Sequence, residues 1–109
     1  MEKIKVVVKE PGEPAEERII DNTLKAFQTA VGGFIEAVPF AEGVTMIVNE
    51  EGKILGLMPN LPFRDDIICG TVVFVGTDGE DFADCPMSAE EIRKIYKEGW
   101  WYGATVSNF

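Results

Sequence analysis

The stretch that most constrains the fold is residues 44–76, because it combines a β-hairpin, a polar turn region and a buried strand. Residues 44–49 are mostly apolar, and the Asn-Glu-Glu-Gly sequence that follows predicts a hairpin turn into a second strand at residues 53–57. Residues 58–64 contain two prolines, which lack the donors that a strand ladder needs, so we expect irregular structure there. Residues 67–75 are almost continuously apolar, which predicts a central strand covered on both faces, with a bend or bulge at Gly70.

The flanking segments predict further strands and two helices. Residues 4–9 alternate with period two, which predicts a half-buried strand with Lys5 and Lys9 facing away from the core. We then expect an antiparallel partner strand at 15–20, a helix between the polar residues 21–23 and the glycines 32–33, and a strand at 34–40. We expect a solvated acidic loop at 77–84, and Ser88 and Glu91 form a capping box for the second helix. Residues 1–109 are therefore predicted to form a single α+β domain, with a mixed, mainly antiparallel sheet of about five or six strands and two helices.

Composition excludes several classes of function. The chain has no histidine, and its two cysteines, Cys69 and Cys85, lack metal-ligand spacing, so we expect no metal, no cofactor and two free thiols. The absent histidine also removes the commonest general base, and no feature favours an enzyme using Asp, Glu, Lys or Tyr. A net charge of −9 with scattered basic residues argues against direct nucleic-acid binding. No apolar run is long enough to span a membrane and no secretory signal is evident, so a cytoplasmic location is expected.

Two features leave alternatives open. The acidic charge is explained either by solubility alone or by mimicry of nucleic acid, in which carboxylates occupy a basic groove on another protein. The aromatic residues Trp100, Trp101 and Tyr102 either close the protein's own core or form a contact surface, including a homodimer contact. Because neighbours on an extended chain point to opposite faces, one of the two tryptophans is expected to face outwards.

Five segments carry a family resemblance. They are residues 7–12, 20–24, 31–38, 49–53 and 67–71. In this order and spacing they resemble the family called domain of unknown function 3846, from the first strand to about residue 75. The resemblance implies a setting in phages, plasmids and gut bacteria, sometimes beside antirestriction proteins, and it implies no particular reaction. The chain departs from the family at one point: relatives often carry an Asn-Arg pair after the hairpin, whereas here Leu61 follows Asn60 and the next arginine is Arg64.

Two functional hypotheses from different classes follow, and a third hypothesis, an enzymatic activity, ranks below both. The leading one is a non-enzymatic accessory protein of a phage or mobile element that acts by binding a host protein. The alternative is a small-molecule or nucleotide-binding module whose pocket lies near residues 49–64. The candidate binding residues are Asn49, Glu50, Asn60 and Arg64 for the pocket, and Trp100 and Trp101 for association. Carboxylates massed on one face would favour the first hypothesis, and a concave apolar pocket with converging polar groups would favour the second.

Overall fold

The computed structural model describes residues 2–96, which form two helices and eight strands. In chain order they are β1 (Lys3–Lys9), β2 (Glu16–Asp21), α1 (Leu24–Val31), β3 (Ile35–Ala41), β4 (Val44–Asn49), β5 (Pro59–Phe63), β6 (Asp66–Cys69), β7 (Val72–Asp78), β8 (Asp81–Ala83) and α2 (Ala89–Ile95). The main sheet has the strand order β2-β1-β7-β4-β3, and β8 also pairs with β7. A separate two-stranded sheet contains β5 and β6. All pairings between these described strands are antiparallel. The predicted α+β class and its mainly antiparallel sheet are therefore confirmed.

Strand β7 lies at the centre of the main sheet, as the apolar run predicts. It pairs with β1 on one side, where Val8 lies opposite Val73, and with β4 on the other, where Met46 lies opposite Phe74. Its residues 72–75 are completely buried. Because successive side chains of a strand point to opposite faces, this requires cover on both sides of the sheet.

The two faces of the sheet have different covers. Helix α1 packs Phe27 and Val31 against the face that carries Val73 and Val75. The opposite face, which carries Val72 and Phe74, is covered by α2 and by the β5–β6 hairpin, whose Leu61 is buried there. Phe40 of β3 contacts the rings of Phe63, Phe74 and Tyr96, with centroid distances of 5.9, 5.0 and 6.3 Å. Phe40 therefore links the main sheet to both elements that cover this face, through Phe63 of the β5–β6 hairpin and Tyr96 at the end of α2.

The helix ends follow the predicted capping chemistry. Thr23 is the residue that caps α1, because its hydroxyl oxygen accepts a hydrogen bond from the Ala26 amide at 3.1 Å. The helix ends at Gly32, which is left-handed with φ 78°. At α2 the Ser88 hydroxyl accepts from the Glu91 amide, and the Ser88 amide donates to the Glu91 carboxylate, so the predicted capping box is confirmed.

Four predicted element boundaries are wrong. The run at 67–75 is two strands in two sheets, because Gly70, at φ 91°, redirects the chain between β6 and β7. No strand forms at residues 53–57, of which 53–56 form turns, and residues 59–63 form β5 although two of them are prolines. Proline is compatible with β5 because this strand belongs to a two-stranded ladder with a register shift between Pro59 and Leu61. The segment 77–84 is a hairpin instead of a loop, since β8 returns along β7.

Lys9 is also placed differently from the prediction. Its side chain is only 3 % exposed, whereas the alternation of β1 predicts that it faces away from the core. The β5–β6 hairpin covers this end of β1, and Asn60 of β5 accepts a hydrogen bond from the Lys9 ammonium at 3.0 Å. A local hydrophobic pattern cannot predict this cover, because Asn60 lies 51 positions away from Lys9 in the chain.

Candidate functional site

The candidate site is built around the turn segment 50–56, which follows β4 on the chain. Asn49, at the end of β4, anchors the segment: its amide group donates to the Val31 carbonyl at 3.1 Å, and its side-chain oxygen accepts from the Glu51 amide at 2.8 Å. The Glu50 amide donates to the Phe34 carbonyl at 2.9 Å. These bonds join the turn segment to the end of α1 and to the residue that precedes β3.

Backbone hydrogen bonds within the segment hold its shape. The Leu55 amide donates to the Glu51 carbonyl at 2.8 Å, and the Leu57 amide donates to the Gly52 carbonyl at 2.9 Å. Gly52 is required for close packing, because a Cβ atom there would lie 2.5 Å from the Cys69 carbonyl oxygen of β6. The segment is therefore an ordered platform on the rest of the fold.

Apolar side chains on and beside this platform are exposed instead of buried. Ile54 is 83 % exposed, Leu55 is 56 % exposed, and Phe34, next to the platform, is 64 % exposed. Contiguous exposed apolar surface with a polar rim is typical of an interaction site, whereas a single exposed apolar side chain requires no explanation.

Two neighbouring depressions show that these side chains form one surface. The first has a volume of about 290 Å³ and is lined by Glu36, residues 48–54 and residues 66–69. The second has a volume of about 310 Å³ and is lined by Gln28, Gly32, Gly33, Phe34, Glu51 and Leu55. Glu51 lines both depressions, so they lie side by side. We call the surface formed by Phe34, Glu36, Glu50, Glu51, Ile54 and Leu55 the acidic apolar face.

Carboxylates dominate the charge of this face. Lys53 is the one lysine lining the first depression, and it is hydrogen-bonded in an ion pair with Asp66. This hydrogen bond from Lys53 lowers the pKa of the Asp66 carboxyl below its usual value, and the Ile67 amide assists. Lys53 and Asp66 therefore neutralise each other, and Glu36, Glu50 and Glu51 give the face a net negative charge.

The structure separates the sequence-predicted pocket residues. Asn49 and Glu50 line the first depression, although the side-chain oxygen and amide of Asn49 are engaged in the anchoring bonds. Arg64 lies at the exposed turn between β5 and β6, with a left-handed φ of 56° and its guanidinium 5.0 Å from the ring centroid of Phe63. Neither Arg64 nor Asn60 lines this depression. The predicted association residues Trp100 and Trp101 lie outside the described residues.

Asn60 belongs to a buried polar cluster at the end of β1. Its side-chain amide donates to the carbonyls of Lys9 and Gly70, at 2.7 Å each, and its side-chain oxygen accepts from the Lys9 ammonium. The Lys9 ammonium also donates to the Glu10 carbonyl at 2.8 Å. The Glu10 carboxylate in turn accepts from the Thr71 hydroxyl. Asn60, at 4 % exposure, thus connects β1 to the β5–β6 hairpin.

Outside the acidic apolar face, the described residues show few features of a catalytic or metal-binding site. Burial raises the pKa of the Cys85 thiol, which keeps it protonated and unreactive at neutral pH. Burial likewise raises the pKa of the Tyr96 hydroxyl. Within residues 2–96, no group of three or more Cys, Asp or Glu side chains is arranged to hold a metal ion. No helix in that range is long and apolar enough to cross a membrane.

The sequence analysis missed the apolar part of the face. The pattern at residues 53–57 predicts a strand, which would pair and bury part of Ile54 and Leu55. The one available signal was the position of Gly52 and Gly56 on either side of these residues, because closely spaced glycines are typical of turns.

Comparison with known proteins supplies the family. The model of the family described as domain of unknown function (DUF3846) matches residues 4–98. No curated protein and no solved structure matches the chain significantly. The matched range contains both helices, both sheets apart from Lys3, and the whole acidic apolar face. The chain therefore belongs to the DUF3846 family.

Proposed function

We propose that the protein is a non-enzymatic accessory protein of a phage or mobile element that acts in the cytoplasm by binding a host protein. The observation that carries this proposal is the acidic apolar face, in which Ile54 and Leu55 on the ordered platform and Phe34 beside it are exposed next to three carboxylates. A folded protein gains nothing in its own stability from such exposure, whereas a partner that covers the face removes apolar surface from water.

The charge of the chain limits the class of partner. A net charge of −9 repels nucleic acid and anionic lipid, and it favours encounter with a basic protein. The setting in a phage or mobile element is what the family resemblance implies, and a host protein is the partner that such a setting suggests.

The experiment is affinity isolation with the full chain from host lysate, followed by reconstitution of the complex from purified components. An unrelated folded protein of similar size and net charge serves as the control, because it removes partners that bind any acidic surface. We expect a host protein that binds this chain at a fixed stoichiometry and does not bind the control. Recovery of nothing beyond what the control recovers would contradict the proposal.

A second candidate function is small-molecule binding in the first depression. Its volume of about 290 Å³ lies at the lower end of the range for ligand pockets, and its lining includes Asn49 and Glu50. The carboxylates of Glu36, Glu50 and Glu51 disfavour nucleotides and other phosphates, so a neutral or cationic ligand fits this hypothesis better. Mass spectrometry of the purified chain under native conditions tests it, since a bound small molecule adds a defined mass that denaturation removes.

A further inference from the structure

We propose that the acidic apolar face binds a cationic segment of the partner protein, in which lysine or arginine side chains flank apolar ones. This inference rests on the proposed function and adds the location of the contact and the chemistry of the partner. The partner segment must carry both cationic and apolar side chains. A purely polar segment would leave Ile54 and Leu55 in water, and a purely apolar segment would leave the carboxylates unpaired.

Charge complementarity selects a cationic segment. Within the described part of the chain, Glu36, Glu50 and Glu51 take part in no ion pair, whereas Lys53 is already paired with Asp66. An incoming cation therefore meets free carboxylates without displacing an existing partner. Charges arranged in this way increase the association rate and exclude anionic competitors.

The geometry of the platform favours binding without rearrangement. The anchoring bonds of Asn49 and the backbone bonds of residues 50–57 already fix the backbone that carries Glu50, Ile54 and Leu55. A surface that is ordered before binding loses less conformational entropy when the partner arrives. The side chains project from a turn, so a segment of the partner can lie across both depressions.

A second copy of this chain fits the face poorly. In a symmetric dimer the same patch meets itself, so the carboxylates of one copy would lie against those of the other. The acidic end of the β7–β8 hairpin is a weaker alternative for the partner. Asp78, Glu80 and Asp81 are exposed there, but the nearby Phe82 is half-buried and packs edge-on against Phe27 at 5.3 Å. The depression beside Glu80 and Asp81 is lined by one exposed large apolar side chain, Leu24 at 59 %, whereas the acidic apolar face has three. The hairpin end therefore offers carboxylates with less free apolar surface, and it provides a control of matched charge.

The test measures affinity by isothermal titration calorimetry with two probes. One is a synthetic amphipathic peptide of lysine and leucine, and the other is the same peptide with serine in place of leucine. We expect the full chain to bind the lysine–leucine peptide at least about tenfold more tightly than the lysine–serine peptide, because apolar contacts supply much of interface affinity. For the lysine–leucine peptide, affinity falls with added salt, since charge interactions between exposed groups are screened beyond about 8 Å at physiological ionic strength.

Three variants assign the contact to the face. Ile54→Ser with Leu55→Ser removes apolar surface from exposed positions and should weaken binding of the lysine–leucine peptide about tenfold. Glu50→Gln with Glu51→Gln should weaken it severalfold and reduce its salt dependence. The control, Asp78→Asn with Asp81→Asn, makes the same change in net charge at the hairpin end and should leave affinity within about twofold, because the contact lies elsewhere. Circular dichroism melting confirms that each variant is folded.

Several results would overturn the inference. They are wild-type affinity in both face variants, an equal loss in the hairpin control, and failure of the chain to bind the lysine–leucine peptide even at low salt. Binding assays of the face variants with the host partner distinguish failure of this inference from failure of the proposed function. If the face variants still capture that partner as well as the wild type does, the proposed function stands and its contact lies on another surface.

Discussion

Replacing Asn60 by alanine should strongly destabilise the protein without removing any part of the acidic apolar face. The substitution eliminates two hydrogen bonds to the carbonyls of Lys9 and Gly70, and it removes the oxygen that accepts from the Lys9 ammonium. Each neutral bond contributes about 1 kcal/mol and the charged one about 2 kcal/mol, so the expected loss is about 4 kcal/mol. Small domains have unfolding free energies of about 5–15 kcal/mol, so this loss removes a large part of the total.

The burial of Lys9 explains why the loss should be large. At 3 % exposure Lys9 has little access to water, so solvent cannot readily replace the acceptor oxygen that Asn60 supplies to its ammonium. Truncating one partner of a buried charged group is costly because the remaining charge stays desolvated. The double variant with Lys9→Met should recover stability relative to Asn60→Ala, since it removes that charge.

Urea unfolding followed by circular dichroism measures the effect, and Arg64→Asn is the matched control on the same hairpin. Arg64 is exposed and asparagine tolerates its left-handed backbone, so we expect a change within about 0.5 kcal/mol. The reasoning would be refuted if Asn60→Ala kept the wild-type urea midpoint. If that variant also lost partner binding, Asn60 would be a binding residue, as the sequence analysis predicts.

Three further predictions concern other parts of the chain. Val73→Asp places an unpaired charge beneath α1 in the centre of the sheet and should cost several kcal/mol; an unchanged melting temperature would argue against β7 as the central strand. In the native state the partly exposed Cys69 should react with a thiol reagent faster than the buried Cys85, and equal rates would contradict this burial. Burial also raises the pKa of the Cys85 thiol in the folded protein. The resulting contribution to stability is fully present below the unfolded pKa of about 8.5 and is lost as the pH rises through the folded pKa. We also expect self-association through Trp100 or Trp101, which sedimentation velocity should detect as a concentration-dependent shift. Alanine at one of these two positions should weaken the shift, whereas a strict monomer would contradict the expectation.

Local sequence patterns predicted the elements whose cause is local. The cap at Ser88 and the end of α1 at Gly32 depend on residues within one turn, and both appear where the pattern places them. The burial of residues 72–75 follows from an apolar run that no exposed strand would carry. The α+β class follows from the same local signals.

The remaining features depend on contacts between distant parts of the chain. Nothing in the apolar run at 67–75 shows that it serves two sheets, except Gly70, and one glycine fits a bulge as well as a change of direction. The burial of Lys9 requires the β5–β6 hairpin to cover the end of β1. The turn at 50–56 is held in place because the Asn49 side-chain amide donates to the Val31 carbonyl and Gly52 packs against Cys69. The exposure of Ile54 and Leu55 follows from these distant contacts, so the turn signal of Gly52 and Gly56 is all that the local sequence offers for the apolar part of the site.

The most direct test of the proposed binding is an amide chemical-shift titration of the isotopically labelled chain with the lysine–leucine peptide and, once isolated, with the host partner. The proposed contact predicts that the largest shifts fall on residues 50–56 and Phe34, with little change at Asp78 or Asp81. Shifts concentrated on the β7–β8 hairpin, or spread evenly over every acidic surface, would contradict the assignment of binding to the acidic apolar face.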